Sequence, residues 1–325
     1  MSSTPPEARS VLVADIGGTH ARAAIVTHPG VAPDPVFKRR TRDFDGLAAF
    51  LHTALDHLCT GDRPPSALCA VASPVDRDPI ELTNAGWRFS RAGIADALGL
   101  DRVAFVNDWV AQGWATTQIT ENHLQTIQSG RADPRAPRLA LGPGTGLGSA
   151  LVTPLPDGWQ VYATEGGHIS FAPRSTREWA IVEWIQAEFG HCSAERLASG
   201  IGIETVHAAL HAIDGTTPRH VGAEAIAQAA QAGDTTCGEA MTTMTAALGS
   251  AAGDLALATG ARGGVYLGGG VIPLLGEAFD WALFHRRFIA KGRFRSYLEA
   301  IPVRAMTHPA PALYGLSVCL TQSRM

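Results

Sequence analysis

The chain has 325 residues, is 46% hydrophobic and carries a formal net charge of −4. That length exceeds what one hydrophobic core usually organises, so two domains are expected. The absence of a basic block argues against nucleic acid and anionic membrane surfaces as partners. The opening "MSSTPPEARS" is polar and proline-bearing and reads as a loose tail over residues 1–9, not as a signal peptide.

In chain order, residues 10–16 and 20–26 form apolar β-runs joined by the turn "IGGTH", and 36–41 offers a third strand. Helical spacing covers 44–58, followed by a "GDRPP" loop and a strand over 67–72. A helix over 91–98 and a strand over 103–106 come next, which makes an α/β pattern that opens on a meander. Near residue 138 the opening pattern returns. "RLALGPGTGLGSALVTP" repeats the strand, Gly-Thr turn and strand of "VLVADIGGTHARAAIVTHP", and suggests duplicated halves facing each other across a cleft. Helical periodicity dominates 175–260, and the stretch 241–261 reads as a buried helix because threonines, glycines and Asp254 interrupt its apolar run. The glycine-rich strand end "GGVYLGGGVIP", a strand over 303–306 and a helix over 312–322 close the chain.

The five cysteines (Cys59, Cys69, Cys192, Cys237, Cys319) are scattered, with no CxxC pair and no Cys/His ligand cluster, so they read as reduced core thiols. Lys38 and Lys291 are the only lysines, and no GxxxxGK[ST] phosphate loop is present.

Several segments could carry chemistry. A turn built from Gly17, Gly18 and Thr19 can present N–H groups to phosphate, and Asp15 at the strand end could hold a hydrated Mg²⁺. The same residues also make an ordinary tight hairpin, and "GPGTGLG" at 142–148 has the same two readings. In "AFVNDWVAQGWA", Asn107 or Asp108 could simply cap a helix, or Asp108 could serve as a general base with Asn107 on the substrate. In "TEGGHISFAP", Glu165 and His168 flank a glycine pair that could turn both side chains into one pocket, an acceptor and donor set suited to vicinal sugar hydroxyls, or could simply make a turn with exposed polar residues. Glu195, in "CSAERLASG", reads on its own as an ordinary exposed helical glutamate rather than a functional residue.

Taken together, "ADIGGTHAR", "FVNDW", "GPGTGLGSA", "EGGHISFAP", "SAERLASGIGI" and "GGVYLGGGVIP" occur in the order found in bacterial ATP-dependent glucokinases, as do "KGRF" at 291–294 and "IPV" at 301–303. The chain resembles that family from about residue 10 to residue 320, in the group without the zinc-binding cysteine cluster of the ROK proteins. The resemblance implies two RNase-H-like α/β domains of the actin/hexokinase type around a central cleft. The small domain would comprise 10–108 plus 307–325 and the large domain 109–306. It also implies transfer of the γ-phosphoryl group of ATP to the 6-hydroxyl of glucose, with Mg²⁺, in a cytoplasmic homodimer.

By the same resemblance, Asp108 is the catalytic base, and Asn107, Glu165, His168 and Glu195 bind the remaining sugar hydroxyls. Asp15, Gly17, Gly18 and Thr19, with Gly144, Thr145 and Gly146, would hold phosphates and Mg²⁺. Gly268, Gly269 and Gly270 would lie against the adenosine, and "LTN" at 82–84 would line the sugar side. Another hexose, or a sugar sensor without turnover, are the alternatives.

The sequence departs from the family pattern at His20, where asparagine is usual, at Pro143, which sits in the second phosphate turn and removes one N–H donor there, and at "PAPALYG". A protonated His20 would add charge near phosphate, so the ATP KM should worsen as pH rises through about 6–7.

Overall fold

The computed structural model describes residues 10–82, 85–276 and 279–322. Its residues cluster into two compact units, Met1–Thr120 with Asp157–Val161 and His308–Met325, and Glu121–Pro156 with Tyr162–Thr307. The expected tail over 1–9, and Thr83 and Asn84 of "LTN", lie outside the described residues.

In the first unit, β1 (Val11–Ile16), β2 (His20–Val26) and β3 (Phe37–Arg40) form the opening meander. They are followed by α1 (Leu47–Leu58), β4 (Ser66–Val71), a small hairpin of β5 (Ile80–Leu82) and β6 (Trp87–Phe89), α2 (Arg91–Leu98), β7 (Arg102–Asn107) and α3 (Asp108–Gln118). The main sheet has the order β3-β2-β1-β4-β7. Its first three strands are antiparallel, and β4 and β7 run parallel to β1. Leu12, Ala14 and Ile16 of β1 share a core with Phe50, Leu51 and Leu55 of α1. Helix α1 begins at Leu47 rather than at the expected residue 44, because Thr41–Asp43 form a separate 3₁₀ turn and Gly46 takes the N-cap.

The second unit contains β8 (Leu124–Gln128), β9 (Arg138–Pro143), β10 (Leu147–Leu155), α4 (Thr176–Phe189), α5 (Gly200–Ile213), α6 (Ala223–Gln231), α7 (Thr235–Thr259) and the last three residues of β11 (Gly158–Thr164), whose first four cluster with the first unit. It ends with β12 (Gly264–Leu267), α8 (Val271–Leu275), α9 (Trp281–Phe288), α10 (Arg295–Glu299) and β13 (Val303–Met306). The sheet order is β11-β10-β9-β12-β13-β8. Without β8 this is the first sheet's order again: an antiparallel meander, then two parallel strands added beside its first strand. The repeated Gly-Thr turn therefore marks the same topological position, the first hairpin of each sheet. Strand β8 is an antiparallel addition outside β13 that the sequence pattern did not suggest.

The last helix, α11 (Pro311–Gln322), packs on α3 and β1 in the first unit. A Cβ at Gly315 would fall 1.8 Å from the Ala111 carbonyl oxygen, so only glycine permits this approach. Helix α7 is buried along most of its length, as expected for 241–261. Gly249 and Gly253 let α9 approach it, since a Cβ on either would come within 2.4 Å of the Phe284 or Phe288 carbonyl oxygen. Among the described residues no helix is long and apolar enough to cross a membrane, and no disulfide joins the five cysteines.

Candidate functional site

The first unit presents two groups of candidate residues. At the end of β1 the turn closes with the Gly17 N–H on the His20 carbonyl oxygen at 3.0 Å. Buried Thr41 braces it, donating its hydroxyl to the Gly17 carbonyl at 2.7 Å and its N–H to the Thr19 carbonyl at 3.0 Å. The Gly17, Thr19 and His20 carbonyls are thus occupied, whereas neither Gly18 nor Thr19 donates its N–H to another described residue. A turn with satisfied acceptors and open donors suits an anion.

Asp15 lies opposite Arg22 in the β1–β2 register and accepts from Arg22 Nη1 at 3.2 Å through Oδ2. Burial raises the Asp15 pKa above the ordinary carboxylate value, and the Arg22 charge and hydrogen bond offset this only in part. His20 stands opposite Arg40 on β3. Burial and the charges of Lys38, Arg22 and Arg40 hold its pKa below the usual 6.5. Protonation, the condition on which His20 would add charge beside phosphate, is therefore disfavoured here. The positive charge beside the turn comes instead from Arg22, Lys38 and Arg40, and their alternation along two short strands carried no distinct sequence signal.

The second group sits where β7 becomes α3. Asn107 Oδ1 and Asp108 Oδ1 both accept from the Trp109 N–H, at 2.9 and 3.0 Å. The capping role is therefore real for Asn107, and the same bonds fix the Asp108 carboxylate at the positive end of the helix. Trp109, buried beneath the junction, anchors it.

In the second unit, the turn between β9 and β10 is tied to the start of α5. Gly200 and Ile201 donate to the Gly144 and Thr145 carbonyls at 2.9 and 3.2 Å, and the Ser199 hydroxyl caps Gly202 at 2.9 Å. The first N–H groups of α5 are thus consumed within the protein. Thr145 and Gly146 donate to no described residue, which matches Gly18 and Thr19 in the first turn. Pro143 is the last residue of β9 and pairs with Leu147, so its missing N–H falls on the strand and not on the turn itself, a correction to the sequence expectation.

Glu165, His168 and Glu195 are brought together beside this turn. The short 3₁₀ turn Gly166–His168 lies flat on β10, where a Cβ at Gly167 would sit 2.0 Å from the Leu147 carbonyl oxygen. The Glu195 N–H donates to the Gly167 carbonyl at 2.8 Å, and Glu195 Oε2 accepts from the Leu147 N–H, also at 2.8 Å. Glu195 is therefore partly buried and structurally engaged, not an exposed helical residue. Glu165 and His168 are 71% and 59% exposed, with Oε2 and Nε2 3.9 Å apart, and can receive a polar ligand.

Gly268 and Gly269 are packing residues here: a Cβ at Gly269 would come 2.3 Å from the Pro143 carbonyl oxygen, and Gly269 holds a φ of +89°. Gly270, by contrast with Gly269, borders open space, and the Gly268 backbone is what a Cβ at Gly142 would strike, at 2.0 Å. Lys291 of "KGRF" donates to Asp254 Oδ1 at 2.6 Å and to the Ser250 carbonyl at 3.0 Å, which fastens the end of α9 to α7.

Comparison with known proteins fits this geometry. Residues 12–323 match the model of the family described as Glucokinase. The chain is 40% identical over 316 residues to a glucokinase of Paramagnetospirillum magneticum, covering 97% of this chain and 98% of the relative. It is 41% identical over 321 residues to a glucokinase of Chromobacterium violaceum, covering 98% and 92% of the two chains. Among solved structures, a glucokinase from an Antarctic psychrotroph superposes with a TM-score of 0.81 at 33% identity, over 97% of this chain and 99% of that one.

Proposed function

This chain belongs to the glucokinase family, and from that premise we propose how its residues divide the phosphorylation of glucose by ATP. The protein is an ATP-dependent hexose kinase. Its 6-hydroxyl acceptor is deprotonated by Asp108 as the oxygen attacks the γ-phosphorus. The O6–P bond forms, the bond from phosphorus to the β–γ bridging oxygen breaks, ADP leaves, and the proton ends on the Asp108 carboxylate. Asn107, Glu165, His168 and Glu195 hold the remaining hydroxyls. A donor or acceptor that the bound sugar covers but the wrong sugar leaves unpaired costs far more than a lost contact, so these four set selectivity.

Phosphates lie against the N–H groups of Gly18, Thr19, Thr145 and Gly146, which requires no lysine because phosphoryl transfer is mainly positioning and charge neutralisation. Mg²⁺ fits Asp15. A carboxylate that already shares one oxygen with Arg22 suits a cation that retains its waters better than one bound directly. When bound, the ion supplies neutralisation of phosphate charge. Gly268–Gly270 border the adenosine, with Gly270 nearest to it. The family likeness also supports a homodimer working in the cytoplasm.

The observation that carries this reading is the Asn107–Asp108 junction, where a helix cap fixes a carboxylate at a strand end. A coupled ADP-release assay over a panel of hexoses with ATP and Mg²⁺ tests it. Turnover is expected with glucose. A better rate on another hexose would move the substrate, and no turnover on any hexose would overturn the kinase reading.

A further inference from the structure

The sequence shows no Cys/His ligand cluster, yet folding builds one in the second unit, at the start of α7. Asp234 caps α7 through Oδ1, accepting from the Cys237 N–H at 2.9 Å. That cap explains one carboxylate oxygen. It does not explain why the Cys237 thiol hydrogen-bonds to the same carboxylate, nor why His220 Nε2 lies 4.0 Å from the other oxygen. One ligand atom from each of His220, Asp234 and Cys237 lies within 4.8 Å of the other two.

We propose that His220, Asp234 and Cys237 bind a zinc ion. The donor set selects the metal: a sulfur, an imidazole nitrogen and a carboxylate oxygen suit a borderline cation, whereas Mg²⁺ and Ca²⁺ take oxygen donors. Zinc–ligand bonds of about 2.0–2.3 Å place two ligands on one ion roughly 3.3–3.8 Å apart. The three atoms, all within 4.8 Å of one another, therefore need to close by at most about 1.5 Å, and His220, on the loop between α5 and α6, would supply that movement. His220 and Asp234 are 36% and 39% exposed, so the ion has an entry path and water can take the fourth position. Binding replaces the thiol proton, which passes to solvent. The ion ties the α5–α6 connection to α7, at the end of α5 away from the Gly144–Gly146 turn. This site involves none of the residues assigned to phosphoryl transfer, so it stands or falls separately from the kinase reading.

A neighbouring pair is the main competitor. His207 and His211, one turn apart on α5, face each other with their Nε2 atoms 3.2 Å apart, and Thr216 Oγ1 lies 2.6 Å from His211 Nδ1. The test uses untagged, chelator-stripped full-length protein, titrated with Zn²⁺ against a chromophoric chelator and, separately, with Co²⁺. The expected result is one equivalent bound per chain, with a thiolate-to-cobalt charge-transfer band. C237S removes that band, and C237S and H220A each weaken zinc affinity by at least about tenfold. H220A alters a partly exposed loop residue, so its effect is not a folding defect, and retained circular dichroism checks this. An absent cobalt band, unchanged affinity in C237S, or binding lost in H211A but kept in C237S and H220A would overturn the proposal.

Discussion

The two units hold their candidate residues in opposite ways. In the first, Asp108 and Asn107 share the Trp109 N–H at a strand–helix junction, and Asp15 is bound to Arg22 across two strands. In the second, Glu165 and His168 are 71% and 59% exposed and 3.9 Å apart, on a backbone fixed by glycines pressed against β10. The first arrangement orders charge before any ligand arrives. The second fixes the backbone and the Glu195 carboxylate but leaves the Glu165 and His168 side chains to be ordered by what they bind. Rate should therefore depend on the first set and sugar affinity on the second.

The largest effect is expected for D108A, a fall in kcat on the order of 10³-fold, measured by ADP release at saturating glucose. Next is G146A. Its Cβ would come 2.2 Å from Glu195 Oε2, which itself accepts from the Leu147 N–H. Displacing the turn should lower kcat/KM for ATP by about 10²-fold, since small misplacements of reacting groups are costly. E165Q keeps the shape and loses the charge, so the glucose KM should rise about tenfold with kcat little changed.

The smallest effect is expected at His20. Its folded pKa lies below 6.5 because of burial and nearby cations, so its proton is already lost above that value and is regained only as the pH falls below it. ATP KM in H20N should therefore track wild type within about twofold between about pH 7 and 8, with any divergence confined to acid. A divergence above pH 7 would restore His20 as a phosphate-side charge.

Much of this was legible in the sequence because it depends on local chemistry. The two Gly-Thr turns, the strand–helix junction at Asn107–Asp108 and the buried helix within 235–259 follow from glycine positions, capping residues and apolar spacing. The rest depends on contacts distant in sequence. Strand β8 becomes a strand by pairing with β13, and Glu195 is engaged only because Leu147 is folded against it. That Gly142 and Gly269 are required by close backbone packing, Gly142 on Gly268 and Gly269 on Pro143, depends on strands that only the fold brings together. His220 and Cys237 meet through the α5–α6 loop, which no spacing rule could report.

Titration of glucose into D108A and E165Q, followed by calorimetry, separates the two sets most directly. The account predicts that D108A binds glucose within about threefold of wild type despite its lost turnover, while E165Q binds about tenfold more weakly. Near wild-type turnover in D108A, or glucose affinity lost there and retained in E165Q, would contradict it.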